Sequence, residues 1–192
     1  MPDPAILSFD GPVARLTINR PDARNALSIE ILDALHDRVG LLESDPRGAH
    51  VLIGLTCVCD LTVTHADAKL GFPEVDLGLC PAVIAPWVVR KLGPGVARRA
   101  MLMGGVMSGE EAGSIGLADF LAPDRAGLDT LTDEVAQRLS AGGPKALAAT
   151  KVLLNRLDGS QDRDSVLRGA ELSASVLATP EAQAALKSRM TR

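Results

Sequence analysis

The sequence predicts an α/β fold in which strands and helices mix over the first 123 residues and helices alone follow. Three observations lead there. "AILSFDGPVARLTINR" reads as two β-prone runs broken by Asp10-Gly11, "HVLIGLTCVCDLTVT" at 50–64 is an apolar block, and from about residue 125 apolar residues recur at helical spacing. The expected organisation is a core over 1–123 and a helical C-terminal region over 124–192.

The two opening runs form a hairpin, because Asp-Gly supplies the positive φ that tight hairpin turns require. After the loop "PDARNAL", Ser28 caps a helix that carries Ile29, Leu32, Leu35, Val39 and Leu42 on one face and ends near "ESDP". Periodicity does not decide between strand and buried helix for 50–64. "AKLGFPEVDLGL" reads as a strand running into a turn, and "GPGVARRAMLMGG" as one short helix. Ser108, with Glu111 three residues on, makes a capping box that opens "GEEAGSIG", and Gly116 closes it. "LADFLA" reads as a strand. Amphipathic helices follow over 127–140, 144–157 with Pro144 in the first turn, 163–178, and 180–190 opened by Thr179-Pro180.

Composition excludes several function classes. With 192 residues, 46% of them hydrophobic, the chain buries a core without staples. A net charge of −4 argues against nucleic-acid binding, and 2% aromatics with no tyrosine removes the groups that stack on bases. Cys57, Cys59 and Cys80 lack zinc spacing, and their odd number fits a reducing compartment better than a disulfide framework. "MPDPAILSFDGP" has no basic n-region or long apolar h-region, and no uncharged apolar run is long enough to cross a bilayer. The expectation is a cytoplasmic protein with no membrane partner. The chain contains no GxGxxG, GxxxxGK[ST], GxSxG or HExxH, and no metal is expected.

The residue that calls for an explanation is Glu74, in "GFPEVDLGLCPAVIAP". Prolines 73, 81 and 86 stiffen the stretch and apolar residues surround the acid, a setting in which the loss of water disfavours a carboxylate's charged form.

"VARLTINRPDARNALS" resembles the opening of the crotonase superfamily, the enoyl-CoA hydratase/isomerase family. "CDLTVTHADAKLGFPEVDLGLCPAVIAPWVVRKLGPGVARRAMLMGGVMSGEEAGSIGLADFLAP" resembles that family's middle almost continuously, so the likeness covers most of residues 12–123. It implies a crotonase-like ββα spiral core and C-terminal helices that build a homotrimer or hexamer. It also implies an acyl-CoA thioester substrate from fatty or branched acyl degradation, with coenzyme A arriving as part of the substrate and no separate cofactor. Two backbone N–H groups would hold the thioester oxygen, and Glu74 would serve as general acid/base beside it. The resemblance also places Arg24 and the backbone of Ala23 and Ala26 beside the CoA phosphates or adenine, where arginine suits phosphate geometry. Pro81, Ile84 and Trp87 become candidates for walling the acyl pocket, with core packing as their other reading.

The chain departs from the family pattern in two places. Near 46–53 it lacks the strand, Gly/Ala-rich loop and further elements that would supply one oxyanion N–H. "HVLIGL", at the place of the second N–H, lacks the usual glycines. Such an intact substrate-facing turn beside missing donor segments leads us to expect that the sequence joins pieces of a longer chain. The second departure is Gly54, which stands where many hydratases carry a second glutamate. That weakens a two-carboxylate hydration and keeps two alternatives open, a single-glutamate isomerase and a catalytically degenerate CoA-binding protein.

The remaining candidates have plainer readings. Asp76, two residues from Glu74, points to the opposite side if the segment is extended and reads as solvated or salt-bridged. Arg20 flanks "PDARNAL", while Arg90, Lys91, Arg98 and Arg99 read as a solvated face; Lys145, Lys151 and Arg156 on the helical tail could reach the CoA of the same or a neighbouring subunit, but none of the three is singled out. His36, on a helix, His50, and His65, in a polar loop, have no nucleophile or metal-ligand spacing and read as structural. Cys57 and Cys59 read as small core residues.

Overall fold

The computed structural model of the chain describes residues 3–19, 22, 28–44, 51–53, 59–159 and 162–190. These form two compact units, Met1–Leu55 with Thr132–Ala149, and Thr56–Leu131 with Thr150–Arg192.

In the first unit, β1 (Ala5–Asp10) and β2 (Val13–Ile18) pair antiparallel, from Ala5 opposite Ile18 to Asp10 opposite Val13. The predicted hairpin is therefore present, but the two turn residues are Gly11 and Pro12. Gly11 has φ +54°, a value that a Cβ would disfavour, and proline's fixed φ suits the next position. β3 (Val51–Ile53) adds parallel to β2, so residues 51–53 of the apolar block are strand.

Helix α1 (Ile29–Ser44) packs on this sheet with a face that keeps Leu35 and Leu42 of the predicted one but not Ile29, Leu32 or Val39. Ile29 is 76% and Leu32 51% exposed, whereas Ile31 is fully buried. Leu35, Arg38 and Leu42 continue the same face as half-buried residues at helical spacing. Arg38 is the reason. Its Nε donates to the Ala5 carbonyl at 3.2 Å and its Nη2 to Asp3 at 2.7 Å, so a cation occupies the inner stripe. The Ala5 N–H and then Arg38 hold the Asp3 carboxyl below its ordinary range. Arg15 pairs with Asp133, and Val13 packs with Ala136 and Leu139.

The second unit holds the remaining strands. β4 (Val63–His65) pairs parallel with β7 (Phe120–Ala122), and β5 (Lys69–Gly71) antiparallel with β6 (Val106–Ser108). Helix α2 (Ala85–Met103) is longer than the short helix expected. Its second half is that helix. The first half, "APWVVRKL", carries Pro86 in the first turn, where no N–H is needed, and the halves meet at a kink where Gly93 has φ +70°. Phe72, Val88, Met101, Ala112 and Leu117 form the core, with Ile84 packed against it.

Helix α3 (Gly109–Ser114) opens with the predicted capping box. Ser108 Oγ accepts from Glu111 N–H, and Glu111 Oε2 accepts from Ser108 N–H at 2.7 Å. Gly116, with φ +81°, follows the helix. After residue 123 the described residues form helices only: α4 (Leu128–Ser140), α5 (Pro144–Leu157), α6 (Arg163–Leu177) and α7 (Pro180–Met190). Thr179 Oγ1 accepts from Ala182 N–H at the start of α7, as a capping residue should.

Asp162 caps α6. The Ser165 hydroxyl above all, then the Ser165 and Asp164 N–H groups and Arg168, hold its carboxyl below the ordinary 3.8. A lowered folded-state value means the cap stabilises fully above the unfolded value and is lost as pH falls through the folded one. Acid titration followed by hydrogen exchange should therefore show the first turn of α6 loosening below about pH 4. In Asp162→Ala that turn should already be loose at neutral pH and show little further acid dependence.

Candidate functional site

β5 ends at Gly71, the chain passes Phe72 and Pro73, and Glu74 heads a 3₁₀ helix over Val75–Leu77 that stops at Gly78, with φ +70°. The amides of Leu77 and Leu79 both donate to the Glu74 main-chain carbonyl, at 3.0 and 2.8 Å, which closes the turn around that residue. The apolar, proline-bounded setting read from the sequence is thus a compact turn. Gly78 packs against Ala182 and Ala185 of α7, and further along Ser173 Oγ of α6 donates to the Cys80 carbonyl at 2.9 Å.

The Glu74 side chain is half-buried, and its Oε2 is fully buried with no hydrogen-bond partner among the described residues. Buried polar atoms are nearly always paired, and leaving one unpaired costs roughly 1–3 kcal/mol. A carboxylate oxygen kept in that state is available to a ligand or a transferring proton.

Ala23, Arg24 and Ala26, and with them Arg20, His50, Gly54 and Cys57, lie outside the described residues. Pro81 is half-buried and its carbonyl accepts from Ala85 N–H at 3.1 Å; Ile84 packs on the core cluster. Trp87 meets a cation. Its ring carries the Arg90 guanidinium 5.9 Å from the centroid and lines a polar cleft of about 210 Å³ with Cys59, Asp60, Lys91, Asp119 and Asp158.

Glu74, Pro81 and Ile84 do not line that cleft. Its charges are matched internally. Arg90 bonds Asp158 at 2.7 Å and Asp60 at 3.3 Å, Lys91 bonds Asp119 at 2.7 Å, and Lys151 also pairs with Asp60. The basic run read as a solvated face therefore divides: Arg98 and Arg99 are exposed, while Arg90 and Lys91 are paired and largely covered. Lys145 and Arg156 are exposed. Cys59, read as a core residue, is a half-buried cleft residue, and His65 lies on β4 rather than in a loop. Among the described residues no group of His, Cys, Asp and Glu side chains is arranged to hold a metal ion, and no helix is long and apolar enough to cross a membrane.

Asp76 was not singled out as functional in the sequence. Its Oδ2 accepts from Gly105 N–H at 2.8 Å. Extended geometry was the wrong guide, because in a 3₁₀ turn residues 74 and 76 no longer alternate across a strand.

The family profile described as Enoyl-CoA hydratase/isomerase matches residues 53–191. The chain is 30% identical over 145 residues to the enoyl-CoA hydratase ACTT6 of Alternaria alternata, covering 70% of this chain and 49% of that protein. It thus spans about half the length of the curated relatives it matches. Its backbone is similar to that of an enoyl-CoA hydratase from Mycobacterium avium, with a TM-score of 0.83 and 26% identity, covering 100% of this chain and 97% of that one. It is also similar to an enoyl-CoA hydratase/isomerase from Pseudoalteromonas atlantica T6c, with a TM-score of 0.85 at 20% identity over 98% and 97% of the two chains. The "FPEVDLGL" turn, the crotonase-type backbone and a profile match over most of the chain together place this protein in the enoyl-CoA hydratase/isomerase family of the crotonase superfamily.

Proposed function

We propose that this chain carries the proton-transfer half of an enoyl-CoA hydratase, adding water across the 2,3-double bond of an acyl-CoA thioester in fatty or branched acyl degradation. The observation that supports it is the buried Oε2 of Glu74, unpartnered among the described residues, in a turn closed by its own main chain. In this reading Glu74 takes a proton from water as the water oxygen bonds C3, and returns it to C2. One O–H bond and the C2–C3 π bond are broken, and a C–O and a C–H bond are formed. The transient negative charge on the thioester oxygen needs backbone donors, each contributing on the order of 3 kcal/mol. In this reading they come from the family segments that this sequence lacks.

Coenzyme A enters as part of the substrate, with no other cofactor, and Ala23, Arg24 and Ala26 would meet its phosphates or adenine. Pro81 and Ile84, which follow Glu74 in the chain, would border the acyl chain. The working form would be a cytoplasmic homotrimer or hexamer, a reading supported by Leu153, Leu154 and Leu157 of α5, which stand 57%, 53% and 75% exposed on the single chain. Gly54 in place of a second carboxylate favours single-base isomerisation as the second reading.

Presenting the full chain with short, medium and branched 2-enoyl-CoA thioesters distinguishes these. Loss of the conjugated-thioester absorbance marks hydration, and its appearance from 3-enoyl substrates marks isomerisation. Binding without either change would leave a CoA-binding protein and remove the hydratase reading.

A further inference from the structure

We infer that Asp76 is a positioning residue for Glu74, acting through Gly105; the inference rests on the proposed role of Glu74 as the base. Gly105 is bonded on both sides of that residue. Its carbonyl accepts from Phe72 N–H at 3.1 Å, and its own N–H donates to Asp76 Oδ2 at 2.8 Å. Residues two before and two after Glu74 are thereby tied to one residue at the corner between α2 and β6.

That corner is built to be fixed. Gly104 and Gly105 have φ of +65° and +78°, a region that side chains disfavour. A Cβ on Gly104 would fall 2.7 Å from both Asp76 Oδ1 and Val75 Cγ2, so the 3₁₀ helix sits directly against the corner. On its other side Gly78 meets Ala182 and Ala185 of α7. The Asp76 carboxylate ties the turn to this corner through a replaceable side chain, as a charge-assisted acceptor stronger than a neutral one. Without it the turn stays attached through Phe72 and packed through Gly78, but it is held less firmly and the Glu74 carboxylate can shift with it. Displacements near 1 Å at a reacting group can cost up to about a hundredfold in rate, and a partial loosening correspondingly less.

The test compares Asp76→Ala, Asp76→Asn, Glu74→Gln and the Glu74→Gln/Asp76→Ala double variant in the full chain. Asp76→Ala should lower kcat roughly tenfold with KM within about twofold, because substrate contacts stay and only the alignment of the base is lost. Asp76→Asn, whose amide oxygen still accepts from Gly105 N–H, should recover most of kcat. The double variant should be no slower than Glu74→Gln alone, since Asp76 acts through a base already removed. Independently of turnover, the Leu77 and Leu79 amides should exchange about tenfold faster in Asp76→Ala than in the parent.

The outcomes separate the two readings. Unchanged turnover in Glu74→Gln removes the base and, with it, the role given to Asp76. A crippled Glu74→Gln beside an unaffected Asp76→Ala leaves the base and overturns the clamp. Additive losses in the double variant, or failure of Asp76→Asn to recover, would show that Asp76 acts by another route.

Discussion

Glu74→Gln is expected to lose about a hundredfold or more in turnover on any enoyl-CoA the chain accepts, while acyl-CoA binding persists. The expectation rests on which atoms of Glu74 do what. The turn is closed by Leu77 and Leu79 donating to its main-chain carbonyl, so the substitution leaves the backbone geometry in place. The side chain makes no hydrogen bond among the described residues through Oε2, and glutamine keeps its length and volume. What disappears is the ability to take and return a proton at that buried position. Such a loss belongs in kcat and in kcat/KM equally, the signature of an interaction made only in the transition state. Steady-state kinetics on the best substrate of the chain-length series supply the measurement, with equilibrium binding of the same thioester as the control. Equal turnover in variant and parent would move the chemistry away from Glu74.

What the sequence disclosed and what it hid divide along the range of the interactions involved. The Ser108–Glu111 capping box, the Gly116 stop and the Thr179-Pro180 entry to α7 are decided within four residues of chain, and each was legible. The inner face of α1 was not, because Arg38 occupies it by virtue of partners 33 and 35 residues away, and a hydrophobicity pattern has no reason to place a cation inside. The first half of α2 was obscured by Pro86, a helix breaker at most positions and a helix starter at this one.

At the site, the "FPEVDLGL" context drew attention to Glu74, but the link from Asp76 to Gly105 spans 29 residues. Nothing in the spacing of the two carboxylates announces it. The closest sequence signal is the Gly104-Gly105 pair after the helix, which marks a corner without saying what leans on it.

Two glycines of one short helix should respond oppositely to the same substitution. Gly109 is the first residue of α3, and a Cβ there would lie far inside van der Waals contact distance of the His65 carbonyl oxygen, 2.9 Å from the His65 carbonyl carbon and 3.2 Å from the Ala66 oxygen. These are backbone atoms at the end of β4, where Ala66 also accepts from Glu110 N–H at 3.3 Å and donates to the Ala122 carbonyl at 3.1 Å. No rotamer change relieves such a clash. Either α3 withdraws from β4, which would unpack the fully buried Ala112 and disturb Leu117, or the β4–β7 ladder distorts. Overpacking against atoms that cannot turn aside sits at the upper end of its usual range, so Gly109→Ala is expected to cost about 3 kcal/mol. Gly113, four residues on, has nothing within 4 Å of the added methyl and no positive φ. There alanine removes only unfolded-state freedom, and Gly113→Ala should stabilise by roughly 0.5–1 kcal/mol. Denaturant midpoints of the two variants, measured with m unchanged, should therefore fall on opposite sides of the parent. A neutral Gly109→Ala would mean that α3 does not lie against the His65 carbonyl, and the packing that joins α3 to β4 would have to be redrawn.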